Sequence, residues 1–203
     1  MRFMITCNDI ITYLNDNYNH VKSLSELSNN EKIKCTENAF NFDDIKADIY
    51  GEHCASADAL LVKRNLNLIE FKTGFDAPEE TLPDKVRKEN LLLKIRIKAY
   101  ESLHLLQTAI IDEISPGDKL ANNIKFVFCA VIDTAEKAVA EDLITDIISD
   151  AGGIREEKSF KVRIIENGLA MYRKQTDKRK KLFYDETFVL YDYEFDSNVH
   201  KFK

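Results

Sequence analysis

Residues 124–132 read Ile-Lys-Phe-Val-Phe-Cys-Ala-Val-Ile, apolar at every position but Lys125. A run this short, unbroken and rich in β-branched and aromatic side chains is the pattern of a strand covered on both faces. Such a strand needs a layer above and a layer below it, so the chain is restricted to helices packed about a sheet. The sequence supplies the helices. Over 84–113, Leu92, Ile95, Ala99, Leu103, Leu106 and Ile110 form one apolar stripe at helical spacing. Leu93, Ile97, Tyr100 and His104 broaden it, so much of this helix surface is expected to be packed. A second helix is expected over 135–149, capped by Thr134, apolar at Ala138, Val139, Leu143, Ile147 and Ile148, and stopped by Gly152-Gly153. The expected class is α/β.

Residues 57–74 add a hairpin. Two apolar runs flank a polar break at Lys63-Arg64-Asn65, as in two antiparallel strands joined by a tight turn. Asp58 opens the first strand, and Glu70 and Lys72 lie near the end of the second. Side chains alternate along a strand, so Glu70 and Lys72 share a face and Phe71 takes the other. Folding the hairpin brings Asp58 back towards them. Two carboxylates and an ammonium then meet at one end of a small sheet. Carboxylate oxygens suit a hard cation such as Mg2+, which takes one or two protein carboxylates and keeps several waters. Such an ion activates water and neutralises charge on a phosphodiester, and a lysine beside it holds a phosphate oxygen or orients the water. The plain alternative is an edge hairpin with a solvated Glu/Lys pair.

Ser56-Ala57-Asp58-Ala59-Leu60 followed by Ile69-Glu70-Phe71-Lys72-Thr73-Gly74 resembles the PD-(D/E)xK nuclease superfamily. The motif spans Asp58 to Lys72, and Ala57 stands where the superfamily often has proline. The resemblance implies a restriction-endonuclease-like core, a mixed central sheet flanked by helices, over about residues 41–150 of a single domain 1–203 with additions at both ends. It implies Asp58, Glu70 and Lys72 as catalytic residues, with Asp58 and Glu70 ligating Mg2+ or Mn2+. Nucleic acid would be the substrate and a homodimer is compatible with it. In the superfamily an acidic residue from an early helix often joins the metal, for which Glu26 and Glu31 are candidates. Helices after the Glu-x-Lys strand flank the cleft there, so Lys94, Lys98 or Glu101 would touch phosphate or support the metal shell.

The rest of the chain sets bounds. The net charge is -6, which counts against a broadly basic nucleic-acid surface but leaves room for a local basic cleft. One basic segment stands out: six of the ten residues 172–181 are Lys or Arg. Lys178 and Arg179 within it are candidate phosphate contacts, against the alternative of a solvated loop. Tyr172, Phe183 and Tyr184 beside it either stack on bases or anchor the core. Cys7, Cys35, Cys54 and Cys129 have no Cys-x-x-Cys spacing and read as free thiols of a cytoplasmic protein. No membrane span or signal segment is expected. Gly-rich phosphate loops and the Gly-x-Ser-x-Gly turn are missing, which leaves little for nucleotide-binding or serine-hydrolase chemistry.

Smaller elements complete the expectation. A helix over 8–18 is capped by Asn8, and a short one over 23–29 by Ser23 with Glu26 in a capping box. Residues 32–35 suit a short strand. Residues 41–49 suit a loop or irregular helix whose Asp43, Asp44 and Asp48 are solvated. Residues 76–83 read as a loop, and 161–165 and 187–191 as strands. The tail docks through Tyr193, Phe195, Val199 and Phe202. Two functions from different classes fit: metal-dependent hydrolysis of nucleic acid, or a catalytically silent module on the same fold that binds nucleic acid or protein, in phage defence or counter-defence.

Overall fold

The computed structural model describes residues 4–72, 84–133, Glu166, Leu169 and 184–202, the side chains of 84–92 and of Lys201 excepted. The expected loop over 76–83, helix over 135–149, strand over 161–165 and basic segment 172–181, with Lys178 and Arg179, lie outside the described residues. In chain order the elements are β1 (Met4–Ile5), α1 (Cys7–Asn17), β2 (Val21–Ser23), α2 (Leu24–Ser28), β3 (Asn38–Asn41) and α3 (Phe42–Tyr50). Then come β4 (Ala59–Val62), β5 (Leu66–Lys72) and the long α4 (Asp84–Leu105). The line of α4 continues through a π-helical turn, Leu106–Ile111, into α5 (Asp112–Ile114). After β6 (Lys119–Leu120) follow β7 (Phe126–Ile132), β8 (Glu186–Tyr191), α6 (Asp192–Asn198) and a closing 3-10 turn, Val199–Phe202.

One mixed sheet of six strands runs in the order β2-β3-β4-β5-β7-β8. The β2–β3, β3–β4 and β4–β5 pairs are antiparallel, whereas β5–β7 and β7–β8 are parallel. The hairpin pairs Ala59 with Ile69 and Val62 with Leu66, closing over Lys63–Asn65. β5 and β7 are interior strands covered on both faces, and this is why their sequences read as apolar runs rather than alternating ones. β1 and β6 pair separately and in parallel.

Alternation along the strands divides the core in two. Leu60, Val62, Leu66, Leu68, Phe128, Ala130 and Ile132 face the side occupied by α1 and α4, where Ile10, Leu14, Ile95, Ala99, Leu103, Leu106 and Ile110 meet them. Ala59, Leu61, Ile69, Phe71, Val127, Cys129 and Val131 face the other side, covered by Leu24 of α2, Ile33, Phe195 of α6 and Phe202. Glu70 and Lys72 are in step with Leu66 and Leu68, so they stand on the α4 side.

Four details differ from the sequence expectation. α1 is capped by Thr6, not Asn8, because Thr6 and Asp9 close a capping box that starts the helix two residues earlier. Residues 32–35 form no strand: the Lys34 and Cys35 N–H groups donate to the Asp196 carboxylate at 2.8 and 3.0 Å. Residues 42–50 form a regular helix, started by Asn41, whose side chain accepts from the Asp44 N–H. On α4, Leu93, Ile97, Tyr100 and His104 are exposed, so the helix packs by one stripe and these four do not broaden it. Tyr184 is a core anchor, wholly buried with its hydroxyl donating to the Ala99 carbonyl at 2.6 Å. Among the described residues, no helix is long and apolar enough to cross a membrane.

Candidate functional site

Asp58, Glu70 and Lys72 do converge, and α4 adds a fourth member. β5 carries Glu70 and Lys72 on one face, and the antiparallel pairing lays the start of β4 beside them. Asp58 sits one residue before β4, where its Oδ2 accepts the Phe71 N–H at 2.6 Å. This bond fixes the carboxylate against the strand that bears Glu70. Lys98 reaches down from α4 and donates to Asp58 Oδ1 at 3.2 Å and to Glu70 Oε2 at 2.8 Å. Lys72 Nζ stands 3.3 Å from Glu70 Oε1, yet that oxygen, fully buried, receives no hydrogen bond. The distance satisfies an ion pair but the angles do not make a bond.

The four side chains form a recess with a dry floor. The Glu70 side chain has no exposure, against 19% for Asp58, 22% for Lys98 and 26% for Lys72. Burial, and then the Asp58 charge, push the Glu70 carboxyl up to about 7 against the pull of Lys98 and Lys72. Burial also raises Asp58, offset in part by Lys98 and the Phe71 N–H. For Lys98, burial alone would favour the neutral amine. The two carboxylates outweigh it and hold the ammonium above its ordinary value.

The surroundings supply an outer ring. Asp43, in the first turn of α3, acts electrostatically on both Asp58 and Lys98 and accepts a short hydrogen bond from Ser56 Oγ. Glu101, one turn after Lys98 on α4, accepts the Ala55 N–H, and the neighbouring Ser102 Oγ accepts the Ala57 N–H at 2.7 Å. These bonds tie the segment before Asp58 to α4, so the recess is braced from both sides.

Other sequence candidates fall elsewhere. Glu26 is occupied as the partner of Ser23 in the α2 capping box, and Glu31 is exposed. The early-helix acid beside the site is instead Asp43, which sequence reasoning took for a solvated loop residue. Lys94 is exposed on α4 one turn before Lys98. Lys98 turns inward to the carboxylates rather than outward to solvent. A second acidic pair, Asp133 after β7 and Asp192 at the start of α6, shares Lys32 at 3.4 and 3.3 Å. Asp192 also accepts from Asn30 and from the Tyr193 N–H. That cluster ties α6 to the loop after α2.

The donor set fits a small hard cation. Asp58 and Glu70 offer two carboxylates, the number Mg2+ takes while keeping waters, and Glu70 Oε1 is a buried acceptor with no donor. Among the described residues no group of three or more His, Cys, Asp or Glu side chains is placed to hold a metal. A site here would therefore be of the open kind, completed by water and substrate oxygens. Compared with family models, with curated proteins and with solved structures, the chain matches none.

Proposed function

We propose that the protein hydrolyses phosphodiester bonds of nucleic acid, using Mg2+ or Mn2+ held by Asp58 and Glu70. The observation that carries this reading is the meeting of the two carboxylates with two lysines, around a buried carboxylate oxygen left without a donor. Carboxylates desolvated beside one another repel, and a divalent ion bound between them relieves that repulsion. The bound ion would supply polarisation of the phosphodiester and a water of lowered pKa. Asp58 is held ready for it by the Phe71 N–H, and Glu70 by its setting in the sheet. Lys72, whose head is part-exposed beside Glu70, is placed to hold a phosphate oxygen or the attacking water. Lys94 on the outer face of α4 and Lys178 and Arg179 in the basic segment would carry the backbone contacts.

Cleavage of labelled single-stranded DNA, duplex DNA and RNA in Mg2+ or Mn2+, with EDTA as control, tests this. Asp58→Ala and Lys72→Ala are each expected to lower the rate by about a hundredfold or more while circular dichroism remains that of the folded chain. Undiminished cleavage in either variant removes the assignment.

A second reading has its own observation. Two carboxylates and two ammonium groups already balance within the recess, so the fold needs no metal to keep it neutral. A silent binding module on this architecture would bind an oligonucleotide or a protein in EDTA, without cleavage, and Glu70→Ala would leave that binding intact.

A further inference from the structure

We infer that the Lys98 ammonium is an internal counter-cation: it occupies the place between Asp58 and Glu70 that a divalent ion would take, and it must leave when that ion binds. The inference rests on the metal-site reading above and adds a control element to it. Lys98 Nζ straddles one oxygen of each carboxylate, at 3.2 and 2.8 Å. Mg2+ binds oxygen at about 2.0–2.1 Å, so ion and ammonium cannot share these two oxygens, and their like charges repel at such range. The other oxygen of Glu70, Oε1, has no donor and stays open to the same ion, since Lys72 approaches it without bonding to it.

The exchange needs little motion. Lys98 is rooted on a long helix and bears its charge on a flexible four-carbon stem. Its side chain is partly open to solvent, whereas Glu70 is sealed. A rotation of the stem therefore uncovers Glu70 without moving α4. Asp43, which already acts on Lys98 electrostatically, favours keeping the displaced ammonium on this side of the sheet. In the closed arrangement Lys98 stabilises the carboxylates. Any metal must compete with it, so wild-type affinity is set below what the two carboxylates would otherwise give.

Mn2+ titration of the full chain, followed by the paramagnetic resonance of the free ion, tests the competition directly. Lys98→Met and Lys98→Gln are expected to bind Mn2+ about tenfold or more tightly than wild type, and Lys98→Arg, which keeps the charge, no more tightly. In EDTA the neutral variants should melt below wild type and gain more in melting temperature on adding Mn2+, because the ion replaces the lost charge. If Lys98→Met folds only with Mn2+, this supports the inference, and Lys98→Gln gives the affinity. Equal or weaker Mn2+ binding by both neutral variants overturns the inference and leaves the metal-site reading standing. Binding by the neutral variants but not by wild type keeps the inference and removes hydrolysis by the native chain. No binding by any of them overturns both.

Discussion

Glu70 is the residue on which the site turns. Its carboxyl is pushed from an ordinary 4.5 to about 7 by burial and by Asp58. The sign of the linkage follows. In the window between those two values the folded state keeps a proton that the unfolded chain has released, so stability falls as pH rises. The contribution is fully present below about pH 4.5 and lost as pH passes about 7. Asp58, also raised, adds to the same slope from lower pH. Glu70→Gln removes the larger titration, and chemical denaturation from pH 4.5 to pH 7 should show a clearly flatter dependence than wild type. An unchanged slope would mean that Glu70 ionises as a solvated carboxylate does. This residue and its two partners were legible in the sequence, because strand alternation and a tight turn place Asp58, Glu70 and Lys72 without further information. Lys98 was legible only as one of three candidates with Lys94 and Glu101, whose spacing suits a solvated Lys-Glu ladder equally well, and only the sheet decides which side of α4 is inward.

At the scale of elements, α3 shows where local signals were present but outweighed. Asn41 is its N-cap, Phe42 and Ile45 are its buried side, and Asp43 and Asp44 lie in its first turn, favourable to the helix dipole. Three acids so close together read more readily as a solvated loop, and Asp43 was hidden by that. Asn41→Ala should cost about 1–2 kcal/mol by denaturant unfolding, since it removes the acceptor for the Asp44 N–H and a donor to the Asp44 carboxylate. It should also loosen the first turn of α3 and with it the Asp43–Ser56 bond. A cost near zero would show that packing of Phe42 and Ile45 alone starts the helix. The four strands β4, β5, β7 and β8 and the line of α4 were readable because long apolar patterns dominate local chemistry. The segment 32–35 misled for the opposite reason: its backbone donors are satisfied by Asp196, far along the chain, and no local pattern encodes such a partner.

At the scale of the whole molecule, one sheet carries an apolar core on each face. The α4 side holds the carboxylates beside the larger core, and the opposite side packs against α2, α6 and the closing turn. Phe71 joins them. Its N–H holds Asp58 on the first side, while its ring meets Phe195 edge-on at 5.4 Å on the second. Asn67, buried in the same strand, donates to the Phe202 carbonyl at 3.0 Å and ties the closing turn to β5. Phe195→Ala should therefore cost about 3–5 kcal/mol of stability, as expected for a fully buried aromatic ring. If Asp58 and Glu70 hold Mn2+ as proposed, its effect on that affinity, measured below the melting transition, should be less than about twofold, because contributions from separated sites add. The reason is register. β5 is bonded to β4 on one edge and to β7 on the other through Lys72, so the backbone that presents Glu70 and the Phe71 N–H is held by the sheet itself. Affinity falling in step with stability would show instead that the Phe71 ring, and not strand pairing, sets the position of Asp58.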